Sequence, residues 1–217
     1  MIKVMHSLIN IVFRIVNHYE SHYFRSLMGH CDSTAIVSRP VECLCPAKLF
    51  LYENTNIYSG AKFIISPDGE EGRFIMKKNS GSAQGLTVIT QNHGREVGRE
   101  FKNAQGLVQP DLNKNADVIV EQDVWIGANV TLCAGVTIGR GATIGAGAVV
   151  RSNIPPYSVV IGNPAKIVGF SFTPSEIIEH EKKLFPEDER LTLSFLEKNY
   201  NKYFIEKIKD IKQFTKL

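Results

Sequence analysis

VEQDVW IGANVT LCAGVT IGRGAT IGAGAV VRSNIP, residues 120–155, puts an apolar residue at every sixth position: Val120, Ile126, Leu132, Ile138, Ile144 and Val150. A six-residue period matches neither the α-helical turn of about 3.6 residues nor the two-residue alternation of a half-buried strand. It fits a solenoid, in which each short repeat buries its inward side against the next. The first positions can stack along the axis of a narrow prism, with three hexads to a triangular coil. Gly127, Gly139, Gly145 and Gly147 suit tight corners, where φ is expected to turn positive. Sandwich strands joined by Gly turns recur at about 8 to 12 residues rather than six, so the chain reads as a β-helix.

The run VWIGANVTLCAGVTIGRGATIGAGAVVRSNIPPYSVVIGNPAKIVG resembles the terminal coils of the hexapeptide-repeat acyltransferases. It is most similar to the xenobiotic and galactoside O-acetyltransferase branch and to sugar or capsular polysaccharide O-acetyltransferases. The resemblance covers roughly residues 50–170, and its most specific parts are WIGA, IPPYSVVIGNPAK and the upstream pair Asn92-His93. It implies a single-stranded left-handed parallel β-helix, the hand coming from the resemblance alone. It further implies acetyl-CoA as acyl donor, no metal, and a homotrimer with active sites between subunits.

Around this core the chain divides into an N-terminal helical segment (1–30), the β-helix acyltransferase domain (31–170) with a loop insertion at 94–117, and a C-terminal helical extension (171–217). In the first segment Ile2, Met5, Ile9, Val12, Phe13 and Val16 form one helical stripe, extended by Tyr19, Tyr23 and Phe24. The segment is too short and too polar to span a bilayer, lacks a small-residue cleavage site, and is expected to cover an end of the solenoid or to contact another subunit. Residues 30–50 read as a transition, with Pro40 and Pro46 excluding a continuous helix. The hexad phase appears at Leu51, Ile57 and Phe63, breaks at SPDGEEGR, and returns at Met76, Ser82 and Val88. The extension opens with Thr173-Pro174-Ser175-Glu176, a capping-box signature. Helical runs follow at IIEHEKKLF and through RLTLSFLEKNYNKYFIEKIKDIKQF, with the alternating Lys and Glu of the latter forming a solvated face.

Acyl transfer to a hydroxyl needs a base, because an alcohol is a poor nucleophile at neutral pH, and imidazole has a suitable proton affinity. His93 is the only histidine within 31–170, and it stands where the insertion begins. The resemblance makes it the catalytic base, and whether Asp123 or Glu96 orients its ring is left open by the sequence. It also places Trp125 beside acceptor and thioester, and gives the Ala128 amide to the cofactor or the developing oxyanion. Ala146 is the small residue beside the pantetheine arm, and Arg151, Ser152 and Lys166 are the groups near the phosphates. Ser152 replaces a Lys common in the galactoside branch, with Arg151 next to it. Gly85 stands where that branch has an acceptor-binding Asn, so the acceptor contacts expected here are Trp125, Asn92 and Gln84.

The 217-residue chain carries a formal net charge of +3 and shows no helix-turn-helix or RNA-binding pattern, so nucleic acid is not an expected partner. Cys31, Cys43, Cys45 and Cys133 lack paired metal spacing and read as reduced thiols of a cytoplasmic protein. His18 and His22 sit at i and i+4 without the Glu placement of a zinc protease. A carbonic anhydrase on this fold would need three histidines where the solenoid supplies one. The expected activity is acetyl-CoA-dependent O-acetylation of a hydroxyl on a sugar or glycan precursor. Two alternatives stand beside it: N-acylation of an amino sugar, and a non-catalytic β-helical assembly module.

Overall fold

The computed structural model describes residues 2–102 and 113–215, without the side chains of residues 2–10, Phe13, Asn17, Asn113 and Lys114. Short parallel strands wind into five coils with three faces. The first face holds His30–Cys31, Leu49–Leu51, Phe74–Met76, Val118–Val120 and Thr137–Ile138. The second holds Ile36–Val37, Asn56–Ile57, Gly81–Ser82, Trp125–Ile126 and Thr143–Ile144, and continues into Ser158–Ile161 and an antiparallel closing strand, Lys166–Phe170. The third holds Val41–Cys43, Ala61–Ile64, Thr87–Ile89, Thr131–Leu132 and Val149–Val150.

The register follows the hexads. Val120 pairs with Ile138, Ile126 with Ile144 and Leu132 with Val150, each three hexads further along the chain. All six first positions are fully buried, and burial of one such aliphatic side chain is worth about 1.5–3 kcal/mol. Backbone groups are satisfied by the next coil, as in Gly127 N to Ile144 O (2.7 Å) and Cys133 N to Val150 O (3.0 Å).

The corner glycines only partly follow the expectation of positive φ. Of the four, Gly147 alone adopts it, at 72°. A Cβ on Gly127 would lie 2.6 Å from Ala146 N, on Gly139 2.5 Å from Pro156 N, and on Gly145 2.8 Å from Ile161 Cγ2, so these three are set by the close approach of the next coil. Left-handed backbone recurs instead two residues later in the hexad, at Asp123 (59°), Asn129 (56°) and Gly141 (68°). Asp and Asn tolerate that region better than other side-chain-bearing residues.

The solenoid also begins earlier than the sequence suggests. Residues 30–43 are its first coil rather than a transition, with Cys31, Val37 and Cys43 in hexad phase against the core. His30 therefore lies in the solenoid as well, its ring 4.8 Å from that of Tyr52, so His93 is not the only solenoid histidine. All four cysteines are free thiols.

Helix α1 (Ile2–Ser26) meets this first coil through its last turns. Ser21 Oγ donates to Val37 O (2.9 Å), Arg25 donates to Asp32 O (2.9 Å), and Phe24 is buried under the Arg39 guanidinium. Val12, Val16, Tyr19 and Tyr23 of the expected stripe are exposed, as are Ile11 and Ile15, so among its described side chains Phe24 alone is buried against the solenoid. Ile2, Met5, Ile9 and Phe13 lie outside the described side chains. No helix among the described residues is long and apolar enough to cross a membrane.

Irregular connections stack at one corner, where the third face turns into the first. They are residues 44–48, 65–73 and the described ends, 90–102 and 113–117, of a third connection. Lys48, almost wholly buried, donates to the carbonyls of Ser66 (2.7 Å), Asp68 (3.0 Å) and Glu71 (2.9 Å), tying the first connection to the second. Asp117 ties the second to the third. Its carboxylate accepts from Gly72 N (3.0 Å), Arg73 N (2.8 Å) and the Arg73 guanidinium (2.6 Å).

The closing strand leads to α2 (Pro174–Leu184), capped as expected: Thr173 Oγ1 accepts from Glu176 N, and the Glu176 carboxylate accepts from Thr173 N at 2.8 Å. The second run breaks at a 3-10 turn, Ile205–Lys207, into α3 (Leu193–Tyr203) and α4 (Ile208–Thr215). A buried polar cluster docks these helices on the last coils. Tyr157 Oη donates to Glu181 Oε1 (3.0 Å), and Arg140 lies 3.3 Å from the same oxygen and over the Phe185 ring.

Two consequences can be measured by denaturant unfolding. Arg140→Ala strands the buried Glu181 carboxylate and is expected to cost roughly 3–5 kcal/mol, whereas the exposed Arg151→Ala should stay within about 0.5 kcal/mol. Equal effects would contradict the docking role of the cluster. For Asp117, partial burial works against the charged form, but the hydrogen bonds from Arg73 and Gly72 outweigh it and hold the pKa below the usual Asp value. A lowered carboxylate pKa stabilises the fold above the unfolded-state pKa, and that contribution is lost as pH falls through the folded-state value. The stability gap between wild type and Asp117→Asn should therefore be full at neutral pH and shrink below about pH 4. A gap that does not change with pH would contradict this.

Candidate active site

The third connection leaves the solenoid as a two-stranded antiparallel ribbon, Gln91–His93 against Asn113–Asn115, with His93 opposite Asn113 and Asn92 opposite Lys114. The first strand of the ribbon thus precedes the insertion expected at 94–117 and the second lies inside it, and residues 103–112 lie outside the described residues. Short anchors fix the ribbon to the coil: Ala116 N donates to Thr90 O (2.8 Å), Asn115 Nδ2 to Asp68 O (3.2 Å), and Asp117 receives the bonds described above. At its end the His93 ring meets Phe101 edge-on, with centroids 5.5 Å apart, and the Arg95 guanidinium lies 5.0 Å from the same ring. Asn92 and His93 are exposed.

Of the two candidates for orienting the imidazole, Glu96 pairs with Arg99 at 3.0 Å. Asp123 sits at the corner between the first and second faces, where burial raises its pKa and the nearby His180 of α2 opposes the shift. The Glu96–Arg99 pair is local, three residues apart, whereas the approach of His180 to Asp123 is set by tertiary contact and left no sequence signal.

Gln84, Ala128 and Ala146 occupy equivalent positions in successive coils and form a column at the corner between the second and third faces. Gln84 O accepts from Asn129 N (2.9 Å) and Ala128 O from Gly147 N (2.8 Å), which holds the column together. The Ala128 amide makes no backbone hydrogen bond among the described residues. Trp125 projects from the second face, about half exposed, between Gly81 and Thr143 in the neighbouring coils. Arg151 and Ser152, both exposed, follow the last strand of the third face and so share the His93 corner, two coils on. Lys166 begins the closing strand, where Ala165 N donates to Val149 O (3.0 Å), but its ammonium rests on the Phe214 ring of α4 at 4.4 Å. The C-terminal helix thus reaches the solenoid exit, a contact with no sequence signal.

Apart from Lys166 on the closing strand, the candidate residues therefore fall into two groups on one prism. Asn92, His93, Arg151 and Ser152 stand at one edge of the third face, and the Gln84–Ala128–Ala146 column stands at its other edge, with Trp125 beyond it on the second face. About five residues at roughly 3.3 Å each separate the two edges, so a small acceptor does not bridge them within one chain.

Residues 117–152 match the model of the bacterial transferase hexapeptide (six repeats). No curated protein matches the whole sequence significantly. Among solved structures, a hexapeptide-repeat acetyltransferase from Vibrio cholerae aligns at 24% identity over 70% of this chain and 78% of that one, with a TM-score of 0.59. That enzyme has also been solved with acetyl coenzyme A. A maltose O-acetyltransferase from Clostridium difficile 630 aligns at 25% identity over 66% and 70% of the two chains, with a TM-score of 0.53. A galactoside acetyltransferase in complex with coenzyme A aligns at 18% identity over 78% and 75%, with a TM-score of 0.51. The chain thus carries the bacterial transferase hexapeptide repeat on a fold shared with hexapeptide-repeat acetyltransferases.

Proposed function

We propose that this chain is an acetyl-CoA-dependent O-acetyltransferase acting on a hydroxyl of a sugar or glycan precursor, with a left-handed solenoid and a homotrimeric assembly. The observation that carries the reading is the exposed His93 imidazole on a ribbon anchored to a hexapeptide solenoid similar to a maltose O-acetyltransferase. The free thiols fit a reducing cytoplasm.

In this reading His93 takes the acceptor hydroxyl proton as the oxygen attacks the thioester carbonyl. The Ala128 amide donates to the oxyanion or to the donor's amide-rich arm, and the Ala146 side chain is small enough for that arm to pass. As the C–S bond breaks, the imidazolium returns its proton to the departing thiolate, so no covalent acyl-enzyme is needed. Arg151, Ser152 and Lys166 receive the phosphates, while Trp125, Asn92 and Gln84 contact the acceptor. The separation of the two groups across the third face supports a site completed by a second copy, whose Ala128 column and Trp125 would meet His93. A closed three-fold ring repeats that heterologous contact three times.

His93→Ala is expected to lower turnover by about 10²- to 10⁴-fold, the usual cost of a lost general base, while acetyl-CoA affinity measured by calorimetry stays nearly unchanged. Steady-state assay by thiol release, with sugars and amino sugars as acceptors, checks it. Near-normal turnover of the variant would remove His93 from the mechanism.

A further inference from the structure

Arg95 lies two residues beyond His93, and one aromatic ring serves both side chains. Phe101 meets the imidazole edge-on and supports the guanidinium against its ring. Stacking on an aromatic ring fixes the plane of a guanidinium without neutralising it, and leaves its N–H edge free to donate. The nearby Glu96 is committed to Arg99 at 3.0 Å. Among the described residues no carboxylate pairs with Arg95, whereas Lys62, Arg73, Lys77 and Arg140 on the solenoid each face one. An exposed cation with no carboxylate partner among the described residues therefore shares the Phe101 ring with the imidazole.

We infer that Arg95 binds an anionic group of the acceptor, so that the substrate class is an acidic sugar bearing a carboxylate or a phosphate near the acetylated hydroxyl. The inference rests on the reading of His93 as the base. A planar guanidinium engages carboxylate and phosphate alike through two parallel N–H···O bonds, so both sources share one chemistry. With its anion on Arg95, the acceptor is held at two points: the charged group at the guanidinium and the reacting hydroxyl at the imidazole. Arg95 is then a specificity-determining residue, and it takes no proton and forms no bond to the acetyl group.

The test compares wild type, Arg95→Gln and Arg95→Lys on three matched acceptors, a neutral hexose, its hexuronic acid and its hexose phosphate, with acetyl-CoA saturating. The wild type should favour at least one acidic acceptor over the neutral hexose by about tenfold or more in kcat/KM. Arg95→Gln should lower kcat/KM for that acceptor by about 10- to 100-fold, the range of a lost charged hydrogen bond. The loss should fall mainly on KM and leave the neutral hexose nearly unaffected. Arg95→Lys should retain part of the preference, and raised ionic strength should weaken it. Preference for the uronic acid identifies a carboxylate, and preference for the sugar phosphate a phosphate. A wild type with no acidic preference, or an equal loss on all three acceptors in Arg95→Gln, overturns the inference while leaving the acetyltransferase reading intact. A wild type that binds acetyl-CoA yet transfers to none of the acceptors overturns both.

Discussion

The whole structure depends on one constraint: each coil finds both its apolar neighbours and its backbone hydrogen-bond partners in the next coil, three hexads away. Because strands of two to four residues bury so little individually, neither a single hexad nor a single coil is stable alone. In-register stacking supplies the missing contacts, which is why Val120, Ile138 and their counterparts must align. The same constraint selects Gly127, Gly139 and Gly145, where the next coil comes too near for a Cβ. It also explains where irregularity is tolerated. An insertion that leaves at a corner and returns to it preserves the register of all three faces, and residues 65–73 and 90–117 both use the same corner.

That corner is where local structure becomes function. Lys48 gathers three carbonyls of one connection, and Asp117 joins that connection to the base of the next, so the ribbon bearing His93 rests on two layers of hydrogen bonds. The role proposed for His93 needs such a support, because positioning errors of even an ångström erode a proton transfer. The buttress lies outside the segments that carry the resemblance most strongly and uses backbone carbonyls, which leave no mark on residue patterns.

Much of the fold was legible before the structure was known, and the parts that were not have physical reasons. Residues 120–150 announce the coils because their first positions are aliphatic without exception. The first coil went unread because Cys31 and Cys43 fill those positions and a 3-10 turn at Pro46–Lys48 shifts the phase before Leu51. The capping box at Thr173 is a local motif and was readable, whereas the burial of Glu181 depends on Tyr157 and Arg140, distant in sequence. Within the candidate site, the resemblance implied a site between subunits, but no residue pattern showed the separation of His93 from Trp125 on one prism. That separation follows from which face each strand occupies, and it makes the second copy a requirement of the proposed chemistry.

Subunit complementation tests this central claim most directly. A His93→Ala chain and a chain with Ala128 replaced by Trp are each expected to be inactive alone. After subunit exchange in equal amounts, about a quarter of the interfaces would receive an intact His93 from one chain and an intact Ala128 from its neighbour, if chains assort randomly in a three-fold ring. The account predicts recovery of about that fraction of wild-type activity. Full activity in monomers, or no recovery despite confirmed exchange, would contradict a site shared between subunits.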